Sequence, residues 1–73
     1  MYHIIKQTNL GSITSIATSL NKDELLQTLD NVLGANYEEL PGNVFLNSDT
    51  GIKYKIAEEL EYFMLLKRTD AVL

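Results

Sequence analysis

Ala57-Glu58-Glu59-Leu60-Glu61-Tyr62-Phe63-Met64-Leu65-Leu66-Lys67-Arg68 reads in two ways, and the architecture turns on which is taken. As a helix it opens on three carboxylates and closes on two cations, the order the helix dipole favours, with good helix formers between them. As a strand, Tyr62, Met64 and Leu66 would alternate with Phe63 and Leu65, yet no Gly or Pro supplies a turn after Ile56. The helix is the preferred reading, and a fifth strand is the alternative. Stepping about 100° per residue from Glu58 gathers Ile56, Ala57, Leu60, Phe63 and Met64 on one side, assigned to the sheet. Tyr62, Leu65 and Leu66 fall on the other, with Glu58, Glu59 and Glu61 interspersed. A helix that is apolar on two sides needs cover on both, and a short chain with one other helix has little to spare. Tyr62, Leu65 and Leu66, rimmed by Glu58 and Glu61, are therefore the candidate partner-binding residues, because an apolar centre with Tyr inside a polar rim is the usual interface anatomy. The competing reading has Asp70-Ala71-Val72-Leu73, or the other helix, covering that stripe.

Upstream, Val44-Phe45-Leu46-Asn47 and Ile52-Lys53-Tyr54-Lys55-Ile56 flank Ser48-Asp49-Thr50-Gly51, a hairpin pattern. Ile52, Tyr54 and Ile56 form its buried side, and Lys53 and Lys55 a wet side that would guard a sheet edge. Pro41-Gly42 suits the centre of a type II turn, and Asn36-Tyr37-Glu38-Glu39 reads as one capped helical turn before it. Leu20-Asn21-Lys22-Asp23-Glu24-Leu25 gives a helix start: a capping Asn, a Glu three residues on, and a Leu-to-Leu staple. Leu25, Leu26, Leu29, Val32 and Leu33 then share a stripe, and Gly34 ends a helix over about 22–33. At the amino end, residues 2–8 and 12–18 are rich in Ile, Thr and Tyr on either side of Asn9-Leu10-Gly11, a second hairpin. Residues 12–18 carry no charge, so that strand is either interior to the sheet or pairs with another chain.

The chain of 73 residues has room for one domain of modest core, with residues 69–73 as a tail. At 45% hydrophobic and 22% charged residues, its composition is that of a folded protein rather than a disordered one. It contains no Cys, which removes disulfides, thiolate metal sites and thiol nucleophiles. The single His, His3, lies next to the amino end and is read as an ordinary strand residue; a Ser-His-acid relay or a His-based metal site finds little else to recruit. Asn47-Ser48-Asp49-Thr50-Gly51 is a poor calcium loop, its Gly one position early and its closing Glu missing. The four glycines are too scattered to cradle a phosphate, and Ser19-Leu20-Asn21-Lys22 is explained as a helix start. No catalytic residue, cofactor or metal ligand is nominated.

Lys plus Arg number 6 against 10 Asp plus Glu, a net charge of -4 that disfavours direct binding of nucleic acid. No apolar run approaches the roughly 20 residues that cross a bilayer, and no secretory signal is visible, so the expected location is the cytoplasm. The expected fold is α+β, in the order β-β-α-β-β-α: a mostly antiparallel four-stranded sheet with both helices on one face. The expected function is that of a small acidic, non-enzymatic, homodimeric module that docks on a protein partner as an inhibitor or regulator. Phage or mobile-element counter-defence factors supply the class-level analogy. Two alternatives stand beside it. One is an accessory subunit that adds residues 12–18 as a strand to a larger assembly. The other is an acidic nucleic-acid mimic built on Glu38, Glu39, Glu58, Glu59 and Glu61.

Overall fold

The computed structural model describes residues 1–68 and 70–73. Strands β1 (Tyr2–Gln7), β2 (Ile13–Ser19), β3 (Tyr37–Leu40), β4 (Val44–Asn47) and β5 (Lys53–Glu58) form one antiparallel sheet, joined by helices α1 (Lys22–Leu33) and α2 (Glu59–Lys67). The strand order is β2-β1-β5-β4-β3. The α+β class is therefore as expected, and residues 59–67 are helical. The sheet has five strands rather than four, however, and its two helices do not share a face.

That second difference follows from β1. Ile4 and Ile5 are consecutive and both fully buried, although neighbouring residues of a strand point to opposite faces. Both faces of the sheet must be covered. On one, Ile4 and Tyr54 meet Leu25, Leu29 and Leu33 of α1, with Tyr2, Ala17, Phe45, Ile52 and Ile56 packed around them. On the other lie His3, Ile5, Gln7 and Ala57, and this face receives α2: the rings of His3 and Tyr62 stack with centroids 4.8 Å apart. β5 runs into α2 without a connector, so the helix folds straight back over the face opposite α1. The Glu59 amide donates to the Met1 carbonyl at 2.9 Å and fixes that corner.

α1 has the bounds its sequence implies. Asn21 is the N-cap, its side-chain oxygen accepting from the Asp23 amide at 2.9 Å. Glu24 does not close a capping box; its carboxylate accepts from the Ser19 hydroxyl at 2.8 Å instead. The Leu20–Leu25 staple is not formed either, since Leu20 is exposed. Only the line Leu25, Leu29, Leu33 is buried, while Leu26 and Val32 remain open to solvent at its flanks.

Residues 37–40 are a strand and not a helical turn. Gly42 (φ 83°) and Asn43 (φ 60°) reverse the chain so tightly after Pro41 that Leu40 pairs with Val44. Tyr37 then stands edge-on to Phe45, centroids 6.1 Å apart. With β3 outermost, β5 is interior, so Lys53 and Lys55 guard no edge. β2 is the other outer strand. An irregularity opposite Ile4/Ile5 makes Ala17 the partner of Ile4 but Ser15 the partner of Ile5. Ile16 is the extra residue, and beyond it the strand changes face: Ile13 and Ser15 lie on the α2 side, Ala17 on the α1 side. Strict alternation along the strand would put Ile13, Ser15 and Ala17 on one side; the bulge separates Ala17 from the other two.

Residues 70–73 are tied to the sheet. Gln7 donates from Nε2 to the Ala71 carbonyl at 2.8 Å, and its Oε1 accepts from the Leu73 amide at 2.9 Å. Ala71 is buried. Of the stretch expected as a tail, residue 69 lies outside the described residues.

Candidate interaction surface

α2 is a nine-residue helix whose residues are apolar nearly all round, so the sheet decides which side is hidden. The hidden side is the one expected to be free. Tyr62 stacks on His3, and Leu65 reaches toward Gly11, Ile13 and Ala71. Both are half-buried, and Leu66, along the same edge, remains 49% exposed. The side assigned to the sheet faces outward: Leu60 is 71%, Phe63 47% and Met64 59% exposed. The reason is the phase of the helix. Glu58 is still in β5 and serves only as the N-cap, so the helix begins at Glu59 and is laid down with Tyr62 over the sheet.

Under α2 lies a partly buried polar cluster centred on His3. His3, 6% exposed, is hydrogen-bonded through Nδ1 to the Ser15 hydroxyl at 2.8 Å, and its Nε2 lies 3.5 Å from a Glu59 carboxylate oxygen. That Nε2 is buried without a hydrogen-bond partner. Ser15, His3 and Glu59 are the residue types of a nucleophilic relay, but such a relay needs the serine oxygen open to substrate beside donors for an oxyanion. None of the four main surface cavities is lined by any of the three. The cluster joins β1, β2 and α2.

Beside the outward side of α2 runs a groove of about 550 Å³, lined by Leu60, Met64, Leu65 and Val72, with Lys55, Glu58, Glu61 and Arg68 as its charged rim. Glu61 accepts from Lys55 Nζ at 3.3 Å. Glu58 and Glu61, expected to rim Tyr62, Leu65 and Leu66, instead border a groove whose apolar lining on the outward side is Leu60 and Met64, with the exposed Phe63 next to them on the helix. A helical wheel places these three together; which stripe meets the sheet depends on the starting phase of the helix.

Other features gather less. The cavity of about 290 Å³ between the β1–β2 and β4–β5 turns is lined by Gln7, Thr8, Asn9, Gly11, Gly51, Lys53 and Val72. Its amides are already engaged, Gln7 with residues 71 and 73 and Asn9 with the Thr50 carbonyl at 2.9 Å. The carboxylates proposed as a phosphate mimic do not form a row: Glu38 is on the α2 face, in register with Leu46 and Lys53, and Glu39 on the α1 face, in register with Phe45 and Tyr54. In the 47–51 loop, Asn47 Oδ1 accepts from the amides of Asp49 and Thr50, which is a side-chain-closed turn. Among the described residues no group of three His, Asp or Glu is placed to hold a metal ion, and no helix is long and apolar enough to cross a membrane. No protein-family model, curated protein or solved structure matches the chain.

Proposed function

We propose that this chain is a non-enzymatic protein-binding module of the cytoplasm that acts through the outward side of α2, as an inhibitor or regulator of the protein it docks on. The observation that carries this reading is the exposure of Leu60, Phe63 and Met64 side by side on one short helix, with Glu58, Glu61, Lys55 and Arg68 in the groove that Leu60 and Met64 line. Scattered single hydrophobes are normal on a surface, but a contiguous apolar strip with a charged rim is the pattern of a contact site. Tyr62 and Leu65 support the strip from beneath, and Leu66 extends it toward the β1–β2 turn. Size and acidity are those of counter-defence and antitoxin proteins, which is an analogy of class. The test is position-specific photo-crosslinking in cells that express the chain. A photoreactive residue at Phe63 should give a discrete adduct that the same residue at Gln27, on the exposed back of α1, does not. Equal labelling at the two positions counts against the surface.

A second reading rests on β2. It is an outer strand without a charged residue, where β3 at the opposite edge carries Glu38 and Glu39. An outer strand offers unpaired backbone groups for strand addition, and the bulge at Ile16 is the one guard present. Strand addition predicts that Ile16→Lys abolishes partner binding while Met64→Lys leaves it intact. The helix surface predicts the reverse.

A further inference from the structure

The groove beside α2 is electrically balanced in a molecule that is not. Two of its rim residues are cations, Lys55 and Arg68, and two are carboxylates, Glu58 and Glu61. That leaves four basic and eight acidic residues, and so the whole net charge of -4, on the rest of the surface. Two copies of an acidic protein repel each other over most approaches, and a charge-balanced side such as this one lowers that barrier.

The charges are also ordered along the helix. Glu59 and Glu61 lie in the first turn of α2, Lys67 in its last turn and Arg68 at its C-cap. The outward strip Leu60, Phe63, Met64, Lys67 follows i, i+3, i+4, i+7 spacing and is symmetric about the midpoint between Phe63 and Met64. A two-fold axis through that midpoint sets a second α2 antiparallel to the first. Phe63 of each copy is then level with Met64 of the other, an aromatic–thioether pairing, and each Leu60 is level with a Lys67 stem. Glu61 and Arg68 share one flank of the helix, so the same axis brings Glu61 of one copy toward Arg68 of the other, and the pair occurs twice. A parallel arrangement would place like charges together.

From this complementarity we infer that the occupant of the α2 surface is a second copy of this chain, paired antiparallel about Phe63 and Met64 with reciprocal Glu61–Arg68 contacts. The inference rests on the reading of α2 as a docking surface; a second copy and the protein it regulates then compete for it. One nine-residue helix offers less than the ~800 Å² per partner of a standard interface, so the dimer belongs to the weak class that dissociates on dilution.

Sedimentation equilibrium of the isolated protein, from about 10 μM to about 1 mM, tests it. A monomer–dimer equilibrium is expected across that range. Glu61→Arg alone and Arg68→Glu alone should each weaken association about tenfold or more, and the double exchange should restore most of the loss, which a purely structural role of either residue does not explain. A monodisperse monomer at the highest concentration overturns self-pairing. In that event the denaturation midpoint of Leu60→Lys/Met64→Lys decides the underlying reading: unchanged, the strip remains a docking surface for another protein; sharply lowered, it is core, and both ideas fail. A dimer that persists in Met64→Lys and shields the amides of Ile13–Ser19 from hydrogen exchange also overturns the inference, because the copies then join at β2.

Discussion

Gln7 shows how much one side chain decides here. It sits at the end of β1 with both ends of its amide engaged by the backbone of residues 71 and 73, and it is as buried as the apolar residues around it. In the sequence it is a polar residue at a strand end, the commonest kind of surface position, and the two partners that tie down the chain's last residues lie more than sixty residues away. Only the folded chain reveals it. Gln7→Ala strands the Leu73 amide and the Ala71 carbonyl, so it should cost about 1–3 kcal/mol in urea denaturation and speed hydrogen exchange at Leu73. His3 was hidden for the same reason, as an unremarkable strand residue that proves to be a stacking platform. Tyr62 stacks on it, and truncation should be felt: Tyr62→Ala is expected to destabilise by about 2–3 kcal/mol, less than a fully buried aromatic because the ring is half-exposed. Met64→Ala, two positions on, should change stability by less than about 0.5 kcal/mol. The same urea titration checks the pair; equal losses would mean that the outward side of α2 is not outward.

Among the elements, α1 was legible end to end, because a capping Asn, a leucine line and a terminal Gly are local signals that agree with one another. The two hairpins were legible for similar reasons. β3 was not, since Tyr37-Glu38-Glu39-Leu40 is short, acidic and outermost, and its only stabilising neighbours come from β4. The face taken by α2 was also beyond periodicity, although the Ile4-Ile5 pair in β1 already carried the message that both faces of the sheet are covered. A hairpin also depends on its neighbours at the β4–β5 turn. Gly51 has φ 76°, and a Cβ there would stand 2.6 Å from Asn9 Oδ1, in the turn between β1 and β2. Gly51→Ala should therefore lower stability by about 1–2 kcal/mol from backbone strain alone, with the contact adding to it. Pairing it with Asn9→Ala separates the two: the double variant should recover the contact and keep the strain, as thermal unfolding of the four proteins of the cycle would show.

The molecule as a whole solves a problem of size. One sheet and two short helices must cover two faces of β1 and β5, and the second cover, α2 with residues 70–73, is thin. The folded surface of 4796 Å² nevertheless lies close to the ~4,500 Å² expected for a compact protein of 8.2 kDa. Leu60, Phe63 and Met64 are thus not exposed by an open or unpacked fold; they are what remains when a helix apolar on two sides has one side used. If a second copy covers the other, folding and association become linked, because a dimer that forms only from folded chains draws the equilibrium toward the folded state. The midpoint of thermal unfolding should then rise by several degrees as protein concentration passes from well below to well above the dimer dissociation constant. In Met64→Lys the midpoint should be independent of concentration and equal to the dilute value of the parent protein. A parent midpoint that is itself flat over the same range would mean that the folded chain stands alone, with its greasy strip turned to water or to a different protein.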